Sequence, residues 1–202
     1  MQKIVFFVCC VMAAAVSTWA SEPVRFVDKG KGISLTGPDG WFMTESKKID
    51  ELVNKAIADS PQFKTSKPAR KEWGVLVAFT EWPFAQGSEA NSMITLSSEA
   101  LPPGEATPLA YSSATLADLT KTFTGTLVVK GPAVAMINGR EAAYFEYVTS
   151  TGPAGKKVKG KGEMYFFVKG KSGFVLAFSD KDEGYTRNRS AFEVTVRSMV
   201  IQ

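Results

Sequence analysis

Apolar and polar positions follow different rhythms along this chain, and each rhythm predicts an element. Ile4 to Val16 is an unbroken apolar run with no polar face. Beyond it, Val24–Asp28 and Ile33–Thr36 read as short strands, and Gly37-Pro38-Asp39-Gly40 turns the chain into an extended Trp41–Thr44. The period then lengthens. Ile49, Leu52, Val53, Ala56 and Ile57 recur at helical spacing behind Ser46, which predicts a capped helix from 46 to about 58. Asp50 and Glu51 near its start suit the helix dipole.

A polar loop through Pro61 and Pro68 leads to a strand at Gly74–Thr80, and a loop with Trp82-Pro83-Phe84 and Gly87 leads to another at Met93–Ser97. Pro102-Pro103-Gly104 breaks the chain. Thr107-Pro108 then has the form of an N-cap and first helical residue, and Leu109, Leu116, Leu119 and Phe123 predict one apolar side of a helix ending at Phe123. A meander follows in Leu127–Lys130, Ala133–Ile137 and Glu141–Thr149. Asn138-Gly139 joins the last two, because both residues accept the positive φ of a type I′ turn. Glu163–Lys169 and Phe174–Ser179 form a second hairpin across Gly170-Lys171-Ser172-Gly173. Met164–Val168 and Phe174–Phe178 are apolar on both faces, so layers must cover the sheet above and below. A closing helix from Asp182 to Met199 offers Tyr185, Phe192, Val196 and Met199 to one of those layers.

The expected fold class is α+β, an antiparallel β-sheet with helices packed on both faces in the order ββ(β)-α-ββ-α-βββββ-α. Neither a repeat nor an interdomain linker interrupts it. On Ile33-Ser34-Leu35, Gly40-Trp41, Ile137–Ala143, Met164–Phe178 and Tyr185 to Met199, the chain resembles the PsbP-like α/β/α sandwich family. That family has photosystem-assembly members and many exported bacterial members of unassigned role. The likeness spans residues 24–200 and implies one sandwich domain. The photosystem members are linked to metal and subunit binding partly through histidines. This chain has no histidine, so that association does not carry over.

The opening run now acquires a meaning. Lys3, the apolar stretch and Ser17-Thr18-Trp19-Ala20 give a basic start, an apolar middle and small residues at a cleavage site. The expected division is a signal peptide at 1–20 and a single domain at 21–202, exported to the periplasm or secreted. A membrane helix needs about 20 apolar residues, more than this run holds, so no transmembrane span is expected in the mature chain. Lipidation at Cys9 or Cys10 would instead anchor the chain, but neither follows the small residue that such processing uses.

Both cysteines leave with the leader, and the mature chain then has neither thiol nor imidazole. A Ser-His-Asp triad, thiol catalysis and Cys/His zinc sites are thereby removed. With Lys3 gone, 23 basic side chains face 20 acidic ones, a balance of +3 that makes no case for nucleic acid. Without disulfides, the core must suffice for stability. No serine stands three residues before a lysine, and no G-x-S-x-G elbow occurs. Gly170-Lys171-Ser172 imitates the end of a P-loop, but Tyr165 stands in the first glycine's place and a strand follows. Asp180, Asp182 and Glu183 read as capping acids of the last helix. Asn188-Arg189-Ser190 matches a glycosylation sequon inside that helix. No cofactor, metal or catalytic residue is expected.

Two surfaces remain. Lys156, Lys157, Lys159 and Lys161, with Lys169 and Lys171 on the neighbouring hairpin, are opposed only by Glu163 within 156–171. In an extended chain Lys157, Lys159 and Lys161 share one face and could attract anionic headgroups or an acidic partner. Alternatively, they protect an edge strand from aggregation. Trp82 and Phe84, with Trp73 and Trp41, form either an apolar docking patch or a roof over the core. The expected function is surface interaction of an exported, non-enzymatic protein with an envelope protein or an anionic membrane or glycan surface. The alternative is a small-ligand module with an apolar pocket between sheet and helix. A carboxylate hydrolase comes third, since the sequence shows no inward-facing pair of acids.

Overall fold

The computed structural model describes residues 23–49, 51, 74–83, 92–103, 106–122, 125–150 and 159–202. Their strands are β1 (Arg25–Asp28), β2 (Ile33–Thr36), β3 (Phe42–Glu45), β4 (Gly74–Thr80) and β5 (Met93–Ala100) before the first full helix, α1 (Pro108–Thr122). β6 (Thr126–Ile137), β7 (Arg140–Thr149), β8 (Gly160–Lys169) and β9 (Ser172–Lys181) form a continuous meander, followed by α2 (Asp182–Ser198) and β10 (Val200–Ile201). Residues 46–49 and 51 are helical with Ile49 buried, and the rest of the helix expected there lies outside the described residues.

Seven strands pair antiparallel in the order β3-β4-β5-β9-β8-β7-β6, and β1-β2-β10 form a separate small sheet. The two-sided apolar strands β8 and β9 lie inside the large sheet, as their composition requires. On one face Tyr111 of α1 packs with Phe145, Phe166 and Val175. On the other, Phe192 and Val196 of α2 pack with Leu176, Phe178, Phe167 and the inner side of β2. The expected layers on both faces are therefore present.

Turn chemistry sets the register. Asn138 and Gly139 both hold positive φ, 52° and 75°, as a type I′ turn demands. The Asn138 amide also donates to the carbonyls of Arg197 and Met199, tying the hairpin to the end of α2. Thr107 caps α1 through its Oγ1, which accepts the Ala110 N–H at 3.2 Å.

Several expectations need correction. Leu109 is exposed, and Tyr111 anchors α1 instead. The β8–β9 turn is the two residues Gly170-Lys171, so both strands run further than their apolar cores. The meander's first two pieces are one strand, β6, with register shifts around Gly131-Pro132. β8 is an interior strand, which removes the edge-protection reading of Lys159 and Lys161 because the sheet edges are β3 and β6. Trp41 is buried in the core beneath the small sheet.

The long strands give the large sheet two ends. β4 runs out to Trp82, β8 begins and β9 finishes at the loop end. The β6–β7 and β8–β9 turns lie at the opposite, turn end.

Candidate functional site

The register sorts the sequence candidates. Thr80 pairs with Met93, Met93 with Ser179, and Gly160 with Lys181, so Trp82 and Lys159 leave the sheet at the loop end and Lys161 is the second residue of β8 there. β4 and β8 are three strand spacings apart, about 14 Å. Trp82 is 63% exposed. Lys159 is exposed, while Lys161 lies partly down with its Nζ 5.7 Å from the centroid of the Tyr185 ring, a cation–π contact. Lys169 and Lys171 stand at the other end of the ten-residue β8, about 30 Å away. The four described lysines thus divide into two pairs. Lys156, Lys157, Phe84 and Trp73 lie outside the described residues.

Between these ends, the α2 face carries a polar cluster that the sequence reading missed. Glu163 does not oppose the lysines; it is buried under α2 at 1% exposure. It pairs directly with Glu146 across β7 and β8, so an inward-facing acid pair does exist. Arg189 bridges it, with Nη2 at 3.1 Å from Glu163 Oε1 and 3.6 Å from Glu146 Oε1. Tyr185 donates its hydroxyl hydrogen to the same Glu163 oxygen. Lys130 adds a second cation, 3.8 Å from Glu146 and over the Tyr144 ring.

Burial raises the Glu163 carboxyl above the usual carboxylate range, and the Tyr185 bond and Arg189 charge only partly offset it. Burial likewise pushes Tyr165 to about 12 and raises Tyr185. A surface cleft of about 270 Å³ opens beside the cluster, lined by Val129, Lys161, Tyr185 and Arg189 among others. Both acids are engaged by the guanidinium, an arrangement that ties α2 to the sheet. The available signal was parity: Glu146 and Glu163 fall on the same face once β7 and β8 are aligned.

A second node fixes the loop end itself. Ser92 Oγ lies 2.7 Å from Asp180 Oδ2 and 3.0 Å from Glu81 Oε2. The Asn188 amide donates to Glu81, Ser92 and Asp180 at 2.9 to 3.1 Å, and Arg187 Nη2 holds both Glu81 oxygens at 2.8 and 2.9 Å. Asp180 Oδ1 accepts the Lys181 N–H at 2.7 Å, which places its carboxylate at the positive end of α2. Glu81 is thus immobilised next to Trp82. The same packing buries Asn188, the sequon residue, so its amide nitrogen is already committed. Among the described residues there is no cluster of metal-ligating side chains. The side chains of Asp182 and Glu183 lie outside the described set.

No protein-family model and no curated protein sequence matches the chain. Solved structures do. Cyanobacterial PsbP (CyanoP) from Synechocystis sp. superposes with a TM-score of 0.57 at 12% identity, covering 92% of this chain and 96% of that one. A Pseudomonas aeruginosa protein of unknown function, PA94, superposes with a TM-score of 0.52 at 16% identity, covering 67% of this chain and 88% of that one. At such identities the likeness concerns architecture, and function must come from the sites themselves. Two helix layers on a seven-stranded antiparallel sheet, matched over nearly the whole of CyanoP, give this chain the PsbP-like fold.

Proposed function

We propose that this chain is an exported, non-catalytic docking protein that binds an envelope protein through the loop end of its sheet. One observation carries the reading. The topology delivers an exposed tryptophan, Trp82, and the basic Lys159–Lys161 segment to the same end, within one protein footprint. An aromatic anchor beside cations suits an acidic protein surface with an apolar pocket. The Glu81–Arg187–Asn188 node supports it by holding the base of the tryptophan loop rigid, which lowers the ordering cost of binding.

The non-catalytic part rests on the mature composition and on the acids, which are taken up by Arg187, Arg189 and Asn188. Export rests on the leader grammar of residues 1–20. No helix among the described residues is long and apolar enough to cross a membrane, in keeping with a chain that acts at a surface.

The test is capture of partners from an envelope fraction by the mature protein. Trp82→Ala should weaken capture by about 30-fold, the loss typical of an interface hot spot, and Lys159→Glu with Lys161→Glu should weaken it further. Undiminished capture by both variants, with unchanged circular dichroism, would refute docking at this end.

A further inference from the structure

The turn end gathers cations from separate segments into one continuous rim. Lys169 Nζ donates to the Lys31 carbonyl at 3.0 Å, joining the β8–β9 turn to the β1–β2 turn. The Gln202 N–H donates to the Gly32 carbonyl at 2.8 Å, and Arg140 Nη2 donates to the Ile201 carbonyl at 2.9 Å. The Asn138 amide reaches the Arg197 carbonyl at 2.7 Å, which brings in the end of α2. The Lys171 carbonyl accepts the Leu101 N–H at 2.8 Å and fixes the last turn. Lys29, Lys31, Lys169, Lys171, Arg140 and Arg197 therefore share one end of the molecule.

Their number at one end sets them apart. Four cations elsewhere have acidic partners: Lys48 with Glu51, Lys130 with Glu146, Arg187 with Glu81, and Arg189 with Glu146, Glu163 and Glu193. Among the described residues none of the six rim cations has an acidic partner within ion-pair distance, and all but the half-buried Arg140 are exposed. The acids on these turns are Asp28, whose Oδ1 accepts the Lys31 N–H, and Glu141. Glu99 lies nearby but is buried, accepting the Tyr111 hydroxyl. Six cations against the two acids Asp28 and Glu141 leave an excess of four positive charges at one end, a field that attracts an extended anionic surface.

We propose that the turn end is a second contact face, for an anionic phospholipid bilayer, so that the chain links a membrane surface to the partner held at its loop end. A bilayer fits better than a protein because, among the described residues, the rim has no aromatic anchor; its tips are lysines on turns with Gly30, Gly32 and Gly170. Flexible lysines contribute to a fluid headgroup layer without one fixed geometry. Val27 and Val200, both exposed on the outer side of the small sheet, give the rim a modest apolar flank. The choice of a bilayer over nucleic acid rests on the exported reading above. The face itself does not depend on the loop end.

The test is co-sedimentation of the mature protein with vesicles of phosphatidylcholine and phosphatidylglycerol, against phosphatidylcholine alone. Each basic residue at an anionic bilayer is worth a factor of about 5, so Lys31→Gln, Lys169→Gln and Lys171→Gln together should reduce binding about 100-fold. Lys29→Gln with Lys171→Gln, which touches no side-chain hydrogen bond, should reduce it about 25-fold by the same factor. Trp82→Ala and Lys159→Gln should leave vesicle binding intact and affect only partner capture. The proposal is overturned if wild-type protein does not prefer anionic vesicles, if the rim variants bind like wild type, or if Lys159→Gln lowers binding as much as Lys171→Gln. Loss of partner capture with vesicle binding intact would count against the loop end alone.

Discussion

Gly184 sits in the first turn of α2, where two effects of opposite sign meet. Replacing a helical glycine with alanine ordinarily stabilises by about 1 kcal/mol. Here a Cβ would come within 2.7 Å of Asp180 Cγ and Oδ2, and nearer still to Oδ1. The carboxylate would have to move, and it accepts hydrogen bonds from Ser92 at 2.7 Å, Asn188 at 3.0 Å and Lys181 at 2.7 Å. Bonds to a charged group are worth about 1.5–3 kcal/mol each. Losing one or two of them, about 3 kcal/mol, outweighs the propensity gain and leaves Gly184→Ala about 2 kcal/mol less stable. With a urea m-value of about 2 kcal/mol/M, the midpoint falls by about 1 M.

A cycle with Asp180→Ala separates the causes. In that background the alanine methyl fills vacated space, so Gly184→Ala is neutral or stabilising by about 1 kcal/mol, and the coupling approaches about 3 kcal/mol. Urea titrations of the four proteins, followed by far-ultraviolet circular dichroism, measure it. Additivity within about 0.5 kcal/mol, or a raised midpoint in the single variant, would refute the reasoning.

Other consequences can be checked separately. Because burial raises the Glu163 pKa in the fold, this group's contribution is fully present below its unfolded value near 4.3 and is lost as pH rises through the raised folded value. Glu163→Gln should therefore gain stability relative to wild type across that rise; urea midpoints that stay parallel with pH would contradict the sign. Asn138→Asp replaces a donor to two carbonyls with an acceptor and should cost about 2 kcal/mol, whereas Asn138→Gly, which keeps the turn, should cost about 1 kcal/mol. An unchanged melting temperature for Asn138→Gly would show that the amide contributes nothing beyond the turn. Cleavage of the leader after Ala20 should leave Ser21 at the amino terminus, read by intact mass of the exported protein; a lipidated Cys9 or Cys10 would overturn that reading.

The fold was legible where one local rule had no competitor. Asn138-Gly139 announced its turn, and the two-sided apolar stretches of β8 and β9 announced a covered sheet. The small sheet was not legible, because β10 is two residues long and pairs with β2 across nearly the whole chain. Leu109 was misassigned because helical spacing cannot reveal which neighbour covers a first turn. The sites were less readable still. Six lysines close in sequence looked like one patch, but a ten-residue strand puts Lys159 and Lys161 at one end and Lys169 and Lys171 at the other. Glu146 and Glu163 showed nothing until cross-strand register set them side by side. Arg189 reaches them from a helix more than twenty residues away, a partnership no local pattern encodes.

Docking through the loop end is tested most directly by photo-crosslinking in intact cells that export the full chain. A photoreactive side chain at position 82 or 159 should give a discrete protein adduct, while one at Val194, 61% exposed on α2, should give none. Silence at 82 and 159, or the same adduct from all three positions, would contradict it.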